Sequence, residues 1–204
     1  MTSREEQSKQ IRQKRTEQIM FSALKLFAHR GLVGTKSSMI AKEAGLSEGL
    51  IYKYFETKNE LFIRLVKWAI EEAANAMKQV YDLPGSPIEK LRTISEEILD
   101  KENQLGFLLM HQAMTGEGIP TEAKELIRQH GSVVHYVNIL EPLFIEGQKA
   151  GDFVQGNPRE LASAYLKVLS GLMTIQIDEN DEFPLPSVDF IMRMFANPNS
   201  PKYR

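Results

Sequence analysis

The side chains best suited to binding a metal or moving a proton are four histidines, His29, His111, His130 and His135, in a chain that contains no cysteine. His130 and His135 are five apart, off the i, i+4 spacing that sets two ligands on one helix face, and no thiolate can complete a site. No metal is expected, and His29, near a helix end, suits a capping interaction. Covalent or acid–base catalysis finds no footing either. There is no Ser-His-Asp spacing, paired-carboxylate motif, His-Glu-x-x-His helix or Gly-rich phosphate loop. The sequence therefore gives no catalytic residue and no cofactor.

What remains is recognition chemistry, and it gathers in one block, Thr35 to Leu61, TKSSMIAKEAGLSEGLIYKYFETKNEL. Two short helices crossing steeply need a small residue where they touch, and Ala41 supplies it. The tight turn between them needs a residue free to adopt positive φ, and Gly45 follows four later. Inward apolar positions fall at Ile40, Ala44, Leu46, Ile51 and Tyr54 or Phe55. The second helix, Ser47 to about Phe55, then presents Ser47, Glu48, Gly49, Leu50, Tyr52 and Lys53 outward, as a helix entering a DNA major groove would. Tyr52 and Lys53 can reach phosphates, Glu48 can accept from a cytosine amino group, and Gly49 allows close approach. Lys58 opens the next helix, where its charge and the free backbone amides suit a phosphate. Ile51, Tyr54 and Phe55 also fit core positions, and Thr35, Ser47 and Thr57 also fit helix caps.

The elements that must hold this block are helical throughout. Ile19, Ala23, Leu24, Phe27 and Ala28 mark one face of a first helix that Gly31 stops. Thr35 caps a second helix ending at Gly45, and Ser47 caps a third. The capping box Thr57-Lys58-Asn59-Glu60 starts a fourth, which runs to about Tyr81. Ser86-Pro87-Ile88-Glu89 and Asn157-Pro158-Arg159-Glu160 open two more, the latter reaching about Ile177. Pro120 begins a long helical segment expected to bend near Pro142. A last helix spans Ser187 to about Phe195, before a frayed tail from Asn197. The expectation is an all-α chain of about nine helices. Residues 1–64 form a helix-turn-helix domain of three helices, and residues 65–204 a helical effector-binding and dimerisation domain.

The block resembles the tetracycline-repressor (TetR) family of bacterial regulators. The matching residues are Phe27, Gly31, Thr35, Ile40-Ala41, Ala44-Gly45-Leu46-Ser47, Gly49, Ile51-Tyr52, Tyr54-Phe55 and Lys58-Asn59-Glu60-Leu61, all in the first third of the chain. The resemblance implies a homodimer, usually a repressor of double-stranded operator DNA, whose C-terminal domain binds a small effector. It assigns DNA contacts to Thr35, Lys36, Ser47, Glu48, Gly49, Leu50, Tyr52, Lys53, Tyr54 and Lys58. It also implies dimerisation through the last two long helices, Asn157–Ile177 and Ser187–Phe195. Leu50 departs from the small polar residue of many relatives, leaving open whether it meets a thymine methyl or packs.

Charge agrees with a polyanionic partner at one end. Residues 1–64 hold twelve basic and seven acidic side chains, residues 65–204 thirteen and twenty. The basic arm Arg4, Lys9, Arg12, Lys14 and Arg15 is either a solvated helix end or a tracker of DNA phosphates or the minor groove. For a small, largely apolar effector, the candidate pocket residues are Trp68, Met77, Tyr81, Phe107, Met110, His111, Met114, His135, Tyr136 and Met173, which equally suit a filled core. The polar N-terminus is no secretory signal and no apolar stretch is long enough for a bilayer, so a cytoplasmic location without membrane contact is expected. Two other readings stand beside the regulator. One is an all-α ligand-binding protein or enzyme with an incidental helix-turn-helix, the other a sequence-indifferent nucleic-acid binder.

Overall fold

The computed structural model describes residues 4–100, 103–175 and 185–200. In chain order the helices are α1 (Arg4–Gly34), α2 (Ser37–Ala44), α3 (Glu48–Ile51), α4 (Lys58–Gln79), α5 (Pro87–Ile98), α6 (Gln104–Thr115), α7 (Thr121–His130), α8 (Val133–Ala150), α9 (Pro158–Thr174) and α10 (Val188–Met192). Among the described residues there is no strand, only a single antiparallel bridge between Phe153 and Ala196. The all-α expectation holds.

The chain divides into two compact units. The first is Met1–Ala69 with Leu108–Ile127, the second Ile70–Phe107 with Arg128–Arg204. This differs from a cut at residue 64 because α4 is continuous there and offers no linker. It differs also because most of α6 and most of α7 group with the N-terminal helices.

In the first unit, Ile19, Ala23, Leu24, Phe27 and Ala28 turn the inner face of α1 into a core with Ile40, Ile51, Phe55, Leu61, Phe62 and Leu65. Phe27 and Phe62 meet edge to face, centroids 5.2 Å apart, a geometry that adds to their burial. Gly31 breaks α1 as expected, at φ 66 and ψ 178. The Gly116–Gly118 turn after α6 closes on that break. A Cβ on Gly31 would lie 2.9 Å from the Gln112 side-chain oxygen, and one on Gly118 2.9 Å from Val33 Cγ2.

In the second unit, α5, α8, α9 and α10 enclose an apolar core that includes Leu91, Ile94, Leu140, Phe144, Tyr165, Leu169 and Phe195. Phe144 stacks on Phe153 at 4.9 Å, and Gly147 makes room for that ring: a Cβ there would fall 2.1 Å from it. The buried Ser95 and Tyr165 hydroxyls satisfy each other at 2.8 Å, and Ser95 Oγ also lies 2.6 Å from the Leu91 carbonyl. Burial drives the Tyr165 phenol far above its ordinary pKa.

Three boundaries differ from the sequence reading. The long segment from Pro120 is two helices, interrupted at Gly131–Ser132, where Ser132 caps α8. Pro142, where a bend is expected, lies inside α8; it is exposed, so the Asn138 carbonyl that loses its helical donor can be met by water. The final helix is five residues, capped by Ser187 and followed by turns to Phe195. α9 ends at Thr174, with Ile175 extended, short of the expected Ile177; residues 176–177 and the end of the tail, 201–204, lie outside the described residues.

Candidate nucleic-acid interface

The turn between α2 and α3 is built by Gly45, at φ 64. Its N–H donates to Lys42 O at 3.1 Å and the Leu46 N–H to Ala41 O at 2.9 Å, closing the C-terminus of α2 in a way a Cβ-bearing residue adopts only under strain. Ser47 then caps α3, its Oγ accepting from the Leu50 N–H at 3.3 Å. Although α3 itself is four residues long, helical bonding carries on to the Phe55 N–H, which donates to Ile51 O at 3.0 Å. Ile51 and Phe55 face the core.

Opposite them, Ser47, Glu48, Gly49, Tyr52 and Lys53 are exposed, while Leu50 and Tyr54 are half-buried. Gly49 has no atom within 4 Å of the position a Cβ would take. Packing within the chain therefore gives no reason for a glycine at this point of a helix, where alanine would be more stable. Tyr52 is fixed by its hydroxyl, 2.9 Å from Ser37 Oγ on α2. Lys36, exposed, occupies the N-cap of α2, beside amides that no side chain caps.

One expectation needs correcting and another narrowing. Thr35 is neither a cap nor a surface contact: it is fully buried, and its hydroxyl donates to Gly31 O at 2.8 Å. The non-helical geometry at Gly31 exposes that carbonyl to a local partner, and Thr35 is the partner. Lys58, read as a phosphate ligand, spends two of its three N–H groups inside the unit, donating to Leu32 O and Thr35 O at 2.7 Å each. At most one proton is left for an anion. Thr57 caps α4 as expected, accepting from the Glu60 N–H at 3.0 Å, but Glu60 reaches back to the Glu56 N–H at 2.7 Å.

The effector candidates are distributed over both units. Trp68, Met110, His111 and Met114 fall in the first; Met77, Tyr81, Phe107, His135, Tyr136 and Met173 in the second. Met77, Tyr136 and Met173 are core residues of the second unit, and Phe107 packs against that core. Met110 is also buried, whereas His111 and Met114 are exposed. The Tyr81 hydroxyl donates to Ile139 O. His135 stands edge-on to His130 and Tyr136. Desolvation, with His130 and Lys78 nearby, holds its pKa below the ordinary value, and burial pushes Tyr136 up to about 12. A surface groove of about 320 Å³ between α8 and α9 is lined by Val133, Val134, Val137, Asn157, Arg159, Glu160 and Ser163, none of them among the candidates. Among the described residues no three His, Cys, Asp or Glu gather at a metal-binding distance, and no helix is long and apolar enough to cross a membrane.

Residues 19–65, from the inner face of α1 to the first turns of α4, match the family model of bacterial regulatory proteins, tetR family. The chain carries a tetR-family DNA-binding domain. This helix-turn-helix regulator is 26% identical over 157 residues to the fatty acid metabolism regulator protein of Bacillus subtilis, covering 74% of this chain and 78% of that one. With the transcriptional regulator AcrR of Shigella flexneri it shares 33% identity over 96 residues, 46% of this chain and 44% of the other. Its fold is that of a TetR-family regulator from Agrobacterium tumefaciens, with a TM-score of 0.71 at 19% identity over 90% of this chain and 96% of that one. A protein from Saccharomonospora viridis, described as a transcriptional regulator and solved with choline, superposes with a TM-score of 0.70 at 19% identity, over 90% and 98% of the two chains. The regulator is thus a DNA-binding transcription factor and not an enzyme.

Sequence reasoning missed the Gln112–Gly31 and Gly118–Val33 fits, because Gly116–Gly118 reads simply as a loop. Two glycines flanking one residue, next to a helix end, were the available signal.

Proposed function

We propose that the regulator is a homodimeric repressor that holds a palindromic operator through two α3 helices and releases it when a small, largely apolar molecule binds its second unit. The observation that carries the reading is the outer face of α3, with polar and cationic side chains around Gly49, a glycine no internal contact requires. Ser47, Glu48, Gly49, Tyr52 and Lys53 take the base-edge and nearby phosphate contacts, Leu50 and Tyr54 the flanking apolar ones, and Lys36 and the remaining proton of Lys58 the backbone.

A dimer supplies two reading helices about 34–36 Å apart, one turn of duplex. The sequence reading gave the interface to α9 and the last helix, but α10 is a single turn, and the two long helices near the C-terminus are α8 and α9. Both carry exposed apolar or small residues at helical spacing: Val134, Pro142 and Ile145 on α8, Ala164 and Gly171 on α9, with Ile175 just past its end. Gly171 has open space where a Cβ would stand, which suits close approach of a second copy. The small-molecule reading draws on the S. viridis protein bound to choline and on the B. subtilis relative named for fatty acid metabolism. Coupling of about 1–3 kcal/mol between ligand and DNA is enough for regulation.

The test is fluorescence anisotropy with a labelled duplex from upstream of the regulator's own gene, at moderate salt. Saturable binding that outcompetes unrelated duplexes, and its reversal by one of a panel of fatty acids or choline, is the expected result. Equal binding to all duplexes, or a solution mass equal to the 23.2 kDa of one chain, would sink the proposal.

A further inference from the structure

α1 begins well before the segment that matches the tetR family model, which starts at Ile19. Every residue from Gln7 to Arg15 is exposed, including Ile11 at 62%. Side-chain hydrogen bonds on this stretch are local, from Gln13 to Glu17, Arg15 to Gln18, and Thr16 to the Arg12 carbonyl. The stretch continues α1 outward into solvent and leaves its side chains available to a partner.

The charge pattern says which partner. Between Gln7 and Thr16 the sequence has four basic residues, Lys9, Arg12, Lys14 and Arg15, and no acidic one. Lys9, Arg12 and Arg15 follow at i, i+3 spacing along one side. Glu5 and Glu6 lie in the first turn, where the helix dipole favours them, and Glu17 accepts from Gln13. At the base of this extension the Gln18 side-chain amide donates to Ala44 O at 2.6 Å. That carbonyl is the last of α2, one residue before the turn into α3, so the extension leaves the first unit beside the reading helix. Its reach from Ile19 back to Gln7 is about 18 Å, or roughly five base steps.

We infer that the helical extension Gln7–Thr16 is a second nucleic-acid surface, gripping duplex phosphates that flank the site read by α3. The inference rests on the operator-binding reading above and adds to it a non-specific, salt-sensitive component outside the helix-turn-helix. It assigns Lys9, Arg12, Lys14 and Arg15 to phosphates and gives them no part in base choice.

The experiment compares the full-length chain with the quadruple variant Lys9→Gln, Arg12→Gln, Lys14→Gln, Arg15→Gln, which keeps good helix formers at all four positions. Circular dichroism and thermal unfolding check that the variant folds as the parent does. Anisotropy is measured from 50 to 200 mM salt on two duplexes from the same promoter, one ending at the operator's edges and one with ten extra base pairs on each side. On the long duplex the slope of log K against log salt is expected to fall by up to about 3.6 per arm. The parent then loses roughly a hundredfold more affinity per arm over that range than the variant. On the short duplex the two proteins should differ far less, and the preference for operator over unrelated sequence should be unchanged. Parallel slopes on the long duplex would overturn the inference while leaving operator binding intact. An unaltered parent that prefers no duplex would instead remove the operator reading on which it rests.

Discussion

Two helical glycines set the two units side by side. Gly49, on the reading helix, has nothing within 4 Å of its missing Cβ, whereas a Cβ on Gly147, in the core of the second unit, would lie 2.1 Å from the Phe153 ring. Both give up the stability that alanine would bring to a helix, but for opposite reasons. Gly147 is required by an internal neighbour. Gly49 is required by nothing inside the chain. The first unit thus leaves its surface uncovered at Gly49, and the second fills the space beside Gly147 with an aromatic ring.

Alanine at both positions should break this symmetry most sharply. Gly147→Ala forces the Phe144–Phe153 stack apart and should cost about 1–3 kcal/mol in urea unfolding. Gly49→Ala should leave unfolding unchanged or stabilise by up to about 1 kcal/mol, while anisotropy shows weaker operator binding. If Gly49→Ala binds as the parent does, the open surface around it is not a reading surface.

A smaller effect comes from the cap. Ser47→Ala removes the acceptor of the Leu50 N–H and should cost about 1 kcal/mol in thermal or urea unfolding. Ser47→Asp should restore stability, since it caps as well, but not affinity, because it sets a carboxylate against phosphate. A variant that regained both would assign Ser47 to the fold alone.

The smallest effect separates the units by pH. His135 has its folded pKa below 6.5, first through desolvation and then through His130 and Lys78. The unfolded chain therefore binds the proton more readily, so the stabilisation is complete above pH 6.5 and is lost as pH falls through the folded value. The midpoint of thermal unfolding should drop between pH 7.5 and 5, and His135→Gln should flatten that drop by a small margin. An unchanged pH profile in His135→Gln would shift the sensitivity to other groups.

The sequence was most readable where structure depends on bonds three or four residues long. The caps Ser47, Ser86 with Glu89, and Asn157 all stand where local spacing puts them, Gly45 takes the positive φ expected of it, and Gly31 breaks α1. Thr35 was misread as a cap because its hydroxyl is claimed by a carbonyl freed four residues earlier, and no local spacing signals that the Lys58 ammonium also folds back onto the end of α1. The break at Gly131–Ser132 was missed: Ser132 caps a new helix there, and nothing in the apolar spacing announced it. The effector residues were the least legible. A methionine or tyrosine at helical spacing fills a core or lines a cavity according to what arrives from distant segments, and Met77, Tyr136 and Met173 sit in the core.

Because α3 turns little more than Ile51 inward, with Phe55 just beyond it, its remaining side chains are excused from holding the protein together. Mutations can accumulate there without unfolding the molecule. A descendant lineage can therefore acquire a different taste in target sequence through a few substitutions, each neutral for folding, while the rest of the scaffold is inherited intact.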